Sequence, residues 1–238
     1  TGMWKKHKNL VRMLKAYEKL IQKSKIKDQK DNLKLTNSEA SCHCEEDVDL
    51  TATKQSCVTI HQLVLVGKID KDEPEVVTLI NDINRRISNI KCQISNEISN
   101  VQYSNTKELS PVTYHLKPIV CTGFVEEEEL PIAYAGALFY VIPSLSEGFG
   151  LPPLEAMSCG TPVISSDISA MPEILGSAAI YFDPYNIDDI AEKMAEMASS
   201  QKLRDEYSQK GLEQVAKYNW QSTVRETFMV YKDSLSIE

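Results

Sequence analysis

Residues 138–165 read Leu-Phe-Tyr-Val-Ile-Pro-Ser-Leu-Ser-Glu-Gly-Phe-Gly-Leu-Pro-Pro-Leu-Glu-Ala-Met-Ser-Cys-Gly-Thr-Pro-Val-Ile-Ser. A short apolar run (138–142) gives way to a loop rich in Gly and Pro, then a helical stretch (152–159) and a second apolar run (162–165). Short runs without polar alternation are the pattern of strands buried on both faces. The same unit recurs on either side. Strands are expected at 61–67, 119–122 and 179–182, and helices at 9–24, 75–96, 128–136, 170–175, 187–198, 201–217 and 221–234. Strand–helix alternation with buried strands predicts an α/β fold, a doubly wound parallel sheet covered by helices on both faces. In such sheets ligands bind beyond the carboxyl ends of the strands, which singles out the loops after Val66, Thr122, Ile142 and Ser165.

Composition narrows the classes. The chain has 238 residues, 42% of them hydrophobic, and a net charge of −8. No apolar stretch reaches the roughly 20 residues that span a bilayer, and no secretory leader opens the chain, so a cytoplasmic protein is expected. Thr1 in place of Met suggests a piece of a longer protein. Residues 1–34 carry ten Lys and Arg12 against Glu18, Asp28 and Asp31, while the remainder is strongly acidic and would repel the phosphates of nucleic acid. The six cysteines are irregularly spaced, as befits reduced thiols. Cys42, His43, Cys44, Cys57 and His61 fall in a polar stretch without the usual zinc-hook spacing, so no metal site is expected. Two polar stretches, about 24–58 and 97–115, read as surface insertions in a single domain covering 1–238, because they hold too few apolar residues to bury.

The loop 143–151 carries the chemistry. Gly148 and Gly150 flank Phe149 and let the backbone turn sharply, and Pro152 suits the first position of a helix. The N–H groups of Gly148, Phe149, Gly150 and Leu151 are thereby brought near a helix N-terminus, where unpaired donors attract a phosphate. Glu147 and Glu155 bracket the loop, and a carboxylate can accept two hydroxyl hydrogen bonds, as a sugar or ribose offers. Glu126–Glu129 read as negative charge ahead of a helix. Glu173 is open between helix capping and the cleft, and Trp4 and Trp220 read as packing anchors.

The string 143–164 resembles the signature of the family 4 glycosyltransferases, which have the GT-B fold of two facing Rossmann-like domains. Gly2 with Lys8-Asn9-Leu10, Thr122-Gly-Phe-Val125, Glu129-Leu-Pro131, Ala170-Met-Pro-Glu-Ile174 and Tyr218-Asn-Trp220 follow in the family's order. The resemblance implies the C-terminal, donor-binding half of a retaining enzyme that uses a nucleotide sugar, GDP-mannose first and a UDP-hexose second. The acceptor would be a polysaccharide or a glycolipid. Carried over by position, Glu147 is the catalytic residue, touching the hydroxyls of the donor sugar. The 148–151 amides lie near the sugar and diphosphate, Lys8 pairs with the diphosphate, Glu155 holds the ribose, and Phe124 and Val125 lie against the base. No cofactor is implied beyond this donor substrate. Met3 stands where many relatives have Arg, with Lys5, Lys6 or His7 as substitutes. The acceptor domain is expected to be missing from this stretch, and a peripheral contact with the inner face of the cell membrane would come through that half, so the fragment alone is expected to bind donor but transfer little. The alternative is a degenerate or truncated domain serving as a nucleotide-binding or interaction module.

Overall fold

A computed structural model describes residues 8–35, 62–67, 74–99 and 118–235. The residues Gly2, Met3, Trp4, Lys5, Lys6 and His7, and the cysteine–histidine stretch from Cys42 to His61, lie outside them. In chain order the elements are α1 (Leu10–Leu35), β1 (Leu63–Val66), α2 (Pro74–Ser99), β2 (Ile119–Gly123), α3 (Leu130–Ala135), β3 (Tyr140–Ile142), α4 (Leu151–Ser158) and β4 (Val163–Ser166). There follow α5 (Met171–Leu175), a 3-10 turn (Gly176–Ala178), β5 (Ala179–Phe182), α6 (Ile187–Ser199), α7 (Gln201–Val215) and α8 (Trp220–Leu235).

Among the described residues the named strands all pair in parallel, with one isolated antiparallel bridge between Gly67 and Gly123. The strands ladder in two parts, β1–β2 and β3–β4–β5, where the sequence predicts one sheet. Side-chain alternation nevertheless produces the expected two covered faces. On β4, Val163 joins a core with Leu154, Met157, Met171 and Leu175 from α4 and α5. Ile164, one residue on, joins a core with Met13, Leu14 and Tyr17 of α1, Ile83 of α2 and Ile190 and Met194 of α6. On β5, Phe182 is buried on the α1 side and Ala179 on the α4 side. The core on the α1 side includes Leu65 of β1 and Ile119 of β2, so both ladders share it. Each fully buried Leu, Ile or Phe contributes about 1.5–3 kcal/mol, which makes this shared core the main cohesion of the domain.

The stripe of Leu10, Met13, Leu14, Tyr17 and Ile21 is buried as its spacing demands, each 4% exposed or less. The helix does not stop near residue 24 as predicted but runs on to Leu35. Beyond Ile21 the apolar period fades, while Lys, Gln and Leu still favour helix, so propensity extends an element that periodicity had ended. α6 and α7 begin on side-chain caps. Asn186 accepts from the amides of Asp188 (3.0 Å) and Asp189 (3.3 Å), and Ser200 from that of Leu203 (3.2 Å). Asn84 of α2 brackets Ile119 at the start of β2, accepting from its N–H at 2.9 Å and donating to its carbonyl at 3.1 Å.

Trp220 departs from the packing role expected of it. It opens α8 and is 72% exposed, along with Val224, Phe228 and Tyr231, because no other described element covers that helix. Among the described residues, no helix is long and apolar enough to cross a membrane.

Candidate functional site

β3 ends at Ile142, and the loop that follows delivers Glu147 next to Lys8, which lies just ahead of α1. Lys8 Nζ donates to Glu147 Oε1 at 2.6 Å, and the Oγ of Ser144, a buried residue, donates to the same oxygen at 2.6 Å. Ser144 is itself held by Ser166 at the end of β4, whose Oγ donates to the Ser144 carbonyl at 2.8 Å. Glu147 is also gripped through its backbone. Its N–H donates to Ser169 Oγ at 3.0 Å, and the same hydroxyl donates to the Glu147 carbonyl at 2.9 Å. The position of Lys8 is set by its neighbour Asn9, which takes a left-handed backbone (φ 57°) and donates from Nδ2 to the Pro184 carbonyl at 2.7 Å. Arg12 donates to Asn9 Oδ1 at 2.9 Å and lies over the Tyr185 ring.

The loop then enters α4. Gly150 is the N-cap in left-handed backbone (φ 96°). A Cβ there would lie 2.4 Å from Met171 Cε, whereas one at Gly148 would meet nothing within 4 Å, so space stands open beside Gly148. Leu151 is the first helical residue and Pro152 the second, one position later than expected. Pro152 and Pro153 lack N–H groups, so the donors available to an anion here belong to the loop and Leu151. Phe149 is pinned edge-on against Tyr218 (5.7 Å between centroids, 87° between planes), and Tyr218 in turn donates to the Ile174 carbonyl at 2.9 Å.

Glu155 lies on the second turn of α4. Its Oε2 accepts from Tyr134 of α3 at 3.0 Å. Tyr134 stacks edge-on with Tyr140 at 5.6 Å, and its carbonyl accepts from buried Thr161 at 2.7 Å. Desolvation, reinforced by the charges of Glu147 and Glu155, pushes the Tyr140 hydroxyl above its ordinary pKa. The Tyr134 hydroxyl is raised likewise, by burial first and then by Tyr140 and Glu155. Both phenols are therefore neutral donors at physiological pH, and Tyr140 lies within the fields of both carboxylates.

The structure thus joins Lys8 and Glu147 directly, with the 148–151 loop following in sequence, and links Glu155 to Tyr134 and, edge-on, to Tyr140 at the start of β3. Phe124 and Val125 stand apart at the carboxyl end of β2, Phe124 67% exposed. Among the described residues no hydrogen bond, ion pair or ring contact links them to either glutamate. Glu173 is exposed in the first turn of α5. Sequence reasoning missed Ser144, Ser169 and Tyr134. Ser144 lay inside the quoted signature, Tyr134 had no signal beyond its place on a predicted helix, and Ser169 had none. Among the described residues, no group of three or more His, Cys, Asp or Glu is placed to hold a metal.

The two-faced parallel architecture is the Rossmann-like fold of the GT-B glycosyltransferases. It overlays an α,α-trehalose-phosphate synthase (UDP-forming) from Burkholderia vietnamiensis with a TM-score of 0.65 at 13% identity, covering 98% of this chain and 44% of that one. The chain belongs to the family described as glycosyl transferases group 1, which matches residues 61–214. It is 39% identical over 110 residues to O-antigen chain mannosyltransferase B of Escherichia coli, covering 46% of this chain and 29% of that protein. To the serotype-specific mannosyltransferase WbdA of Escherichia coli it is 37% identical over 105 residues, 44% of this chain and 13% of that protein. The matched stretch is therefore less than a third of either curated relative.

Proposed function

We propose that this domain binds the nucleotide-sugar donor in a retaining glycosyl transfer, with GDP-mannose as the donor and a polysaccharide or glycolipid as the acceptor. The observation that carries the reading is the Glu147 carboxylate, fixed by Lys8 and Ser144 beside the amides of residues 148–151. Bond capacity fits the task. An ammonium has three N–H donors, and Lys8 gives one to Glu147, leaving two for a diphosphate. A carboxylate has about four acceptor positions, so Glu147, with two donors already on Oε1, retains capacity for sugar hydroxyls. Glu155, accepting from Tyr134, likewise retains room for the two hydroxyls of a ribose. Lys8 and the loop amides stabilise the charge that grows on the leaving diphosphate, a gain made in the transition state. Phe124 and Val125 are assigned to the base.

Mannose is favoured because both Escherichia coli relatives are named as mannosyltransferases. In this reading the acceptor side of the cleft comes from a second domain, the enzyme works in the cytoplasm, and neither metal nor separate cofactor takes part. A thermal-shift panel of GDP, UDP and ADP tests donor binding. A nucleoside diphosphate at about 100 times its Kd should add about 2.7 kcal/mol of stability. GDP is expected to give the largest shift, and no shift with any of the three removes the proposal.

A further inference from the structure

Among the described residues, two non-glycine positions take left-handed backbone, Asn9 (φ 57°) and Ser169 (φ 61°). Both bear on one ion pair, since Asn9 follows Lys8 and the Ser169 hydroxyl brackets the backbone of Glu147. Left-handed backbone is disfavoured for serine and nearly neutral for glycine. A serine kept there is explained by its hydroxyl, which accepts from the Glu147 N–H at 3.0 Å and donates to the Glu147 carbonyl at 2.9 Å. The two residues come from different loops, after β3 and after β4, so the hydroxyl is a bridge between strand ends. Ser144 and Lys8 fix the carboxylate from one side, and Ser169 fixes the backbone that carries it.

We propose that Ser169 is a positioning residue that sets Glu147 for the sugar portion of the donor, so that discrimination between a nucleotide sugar and the bare nucleotide depends on its hydroxyl. The proposal rests on reading Glu147 as the sugar contact. It separates the hydroxyl from the backbone, because Ser169→Gly accepts the left-handed geometry and lacks the hydroxyl, while Ser169→Ala lacks both advantages.

The test titrates the full chain and both variants by calorimetry with GDP and with GDP-mannose, or with UDP and UDP-glucose where the thermal panel favours uridine. Affinity for the bare nucleotide should stay within about twofold, and affinity for the nucleotide sugar should fall roughly five- to tenfold in both variants, as the loss of neutral hydrogen bonds implies. Ser169→Gly should melt within a few degrees of the unsubstituted chain, relieved backbone strain offsetting the lost hydrogen bonds, which separates its weaker sugar binding from unfolding. A Ser169→Gly variant that binds the nucleotide sugar normally would show that backbone shape alone matters and overturn the proposal. Equal losses for both ligands would also overturn it, as a general structural effect. If the unsubstituted chain shows no preference for the nucleotide sugar, the reading of Glu147 falls and this proposal with it. A clear preference left intact in both variants removes only the role of Ser169.

Discussion

Alanine at position 150 tests how rigidly the loop ahead of α4 is held. Gly150 sits at φ 96°, and an added Cβ would lie 2.4 Å from Met171 Cε and 3.3 Å from Met171 Sδ. Left-handed backbone costs an L residue about 1–2 kcal/mol. Met171 is 0% exposed, so its terminal methyl must move into space already filled by Leu154, Met157 and Leu175, an overpacking cost of about 1–3 kcal/mol. Together the substitution should destabilise the domain by roughly 2–5 kcal/mol. In a domain of this size each kcal/mol moves the melting midpoint by about 2–4 °C, so calorimetry should record a fall on the order of 10 °C. Gly148→Ala is the internal control, because its Cβ would enter open space, and it should melt close to the unsubstituted chain. Adding Met171→Leu to Gly150→Ala removes the colliding methyl and should recover the packing part but not the backbone part. A coupling of about 1–2 kcal/mol is expected in the double-mutant cycle. A Gly150→Ala melt within 2 °C of the unsubstituted chain, or strict additivity with Met171→Leu, would refute the close approach as the reason for glycine here.

The two glutamates should separate on ligand. Glu155→Gln replaces a charged acceptor at the ribose position and should weaken the nucleoside diphosphate by tens-fold, about 1.5–3 kcal/mol. Glu147→Gln should leave the bare nucleotide unchanged and weaken only the nucleotide sugar. Parallel titrations decide, and indistinguishable variants would overturn the division of labour. Tyr134→Phe removes the donor to Glu155 while keeping the edge-on contact with Tyr140, so nucleoside diphosphate affinity should fall by about twofold to tenfold with little change in melting midpoint. Because the raised Tyr134 pKa keeps that hydroxyl protonated through neutral pH, the difference between Tyr134→Phe and the parent should stay constant from pH 6 to pH 9. A difference that vanished with rising pH in that range would contradict it.

What was legible in the sequence and what was not follow a physical line. Val163 and Ile164 point to opposite faces of β4, and their flanking run without polar alternation announced a strand covered twice. The stripe from Leu10 to Ile21 announced a helix with one buried face. The first is an unbroken apolar run bounded by turn residues and the second a helical period, and residue type alone carries both. The helix beyond residue 24, which runs on to Leu35, was missed because its residues favour helix without repeating any apolar interval. In the candidate site, glycine and proline alone marked a turn into a helix, and it was the resemblance of 143–164 to a family signature that singled out Glu147 and the 148–151 amides. Ser169 was not legible, since a serine in left-handed backbone looks like any other serine until the neighbour that holds it is seen.

The bracket of Asn84 on Ile119 has a further consequence. The Pro118 carbonyl accepts from Leu63 at 2.9 Å, so the polar groups of Ile119 face away from β1, toward the side of β2 that no described strand pairs. That side is where an exposed strand would recruit a strand from another molecule. The Asn84 amide meets Ile119 with one donor and one acceptor, as an incoming backbone would, and so occupies the register such a strand would need. A side chain on α2 thereby takes the place of a third strand's backbone at that register and anchors its helix to the strand.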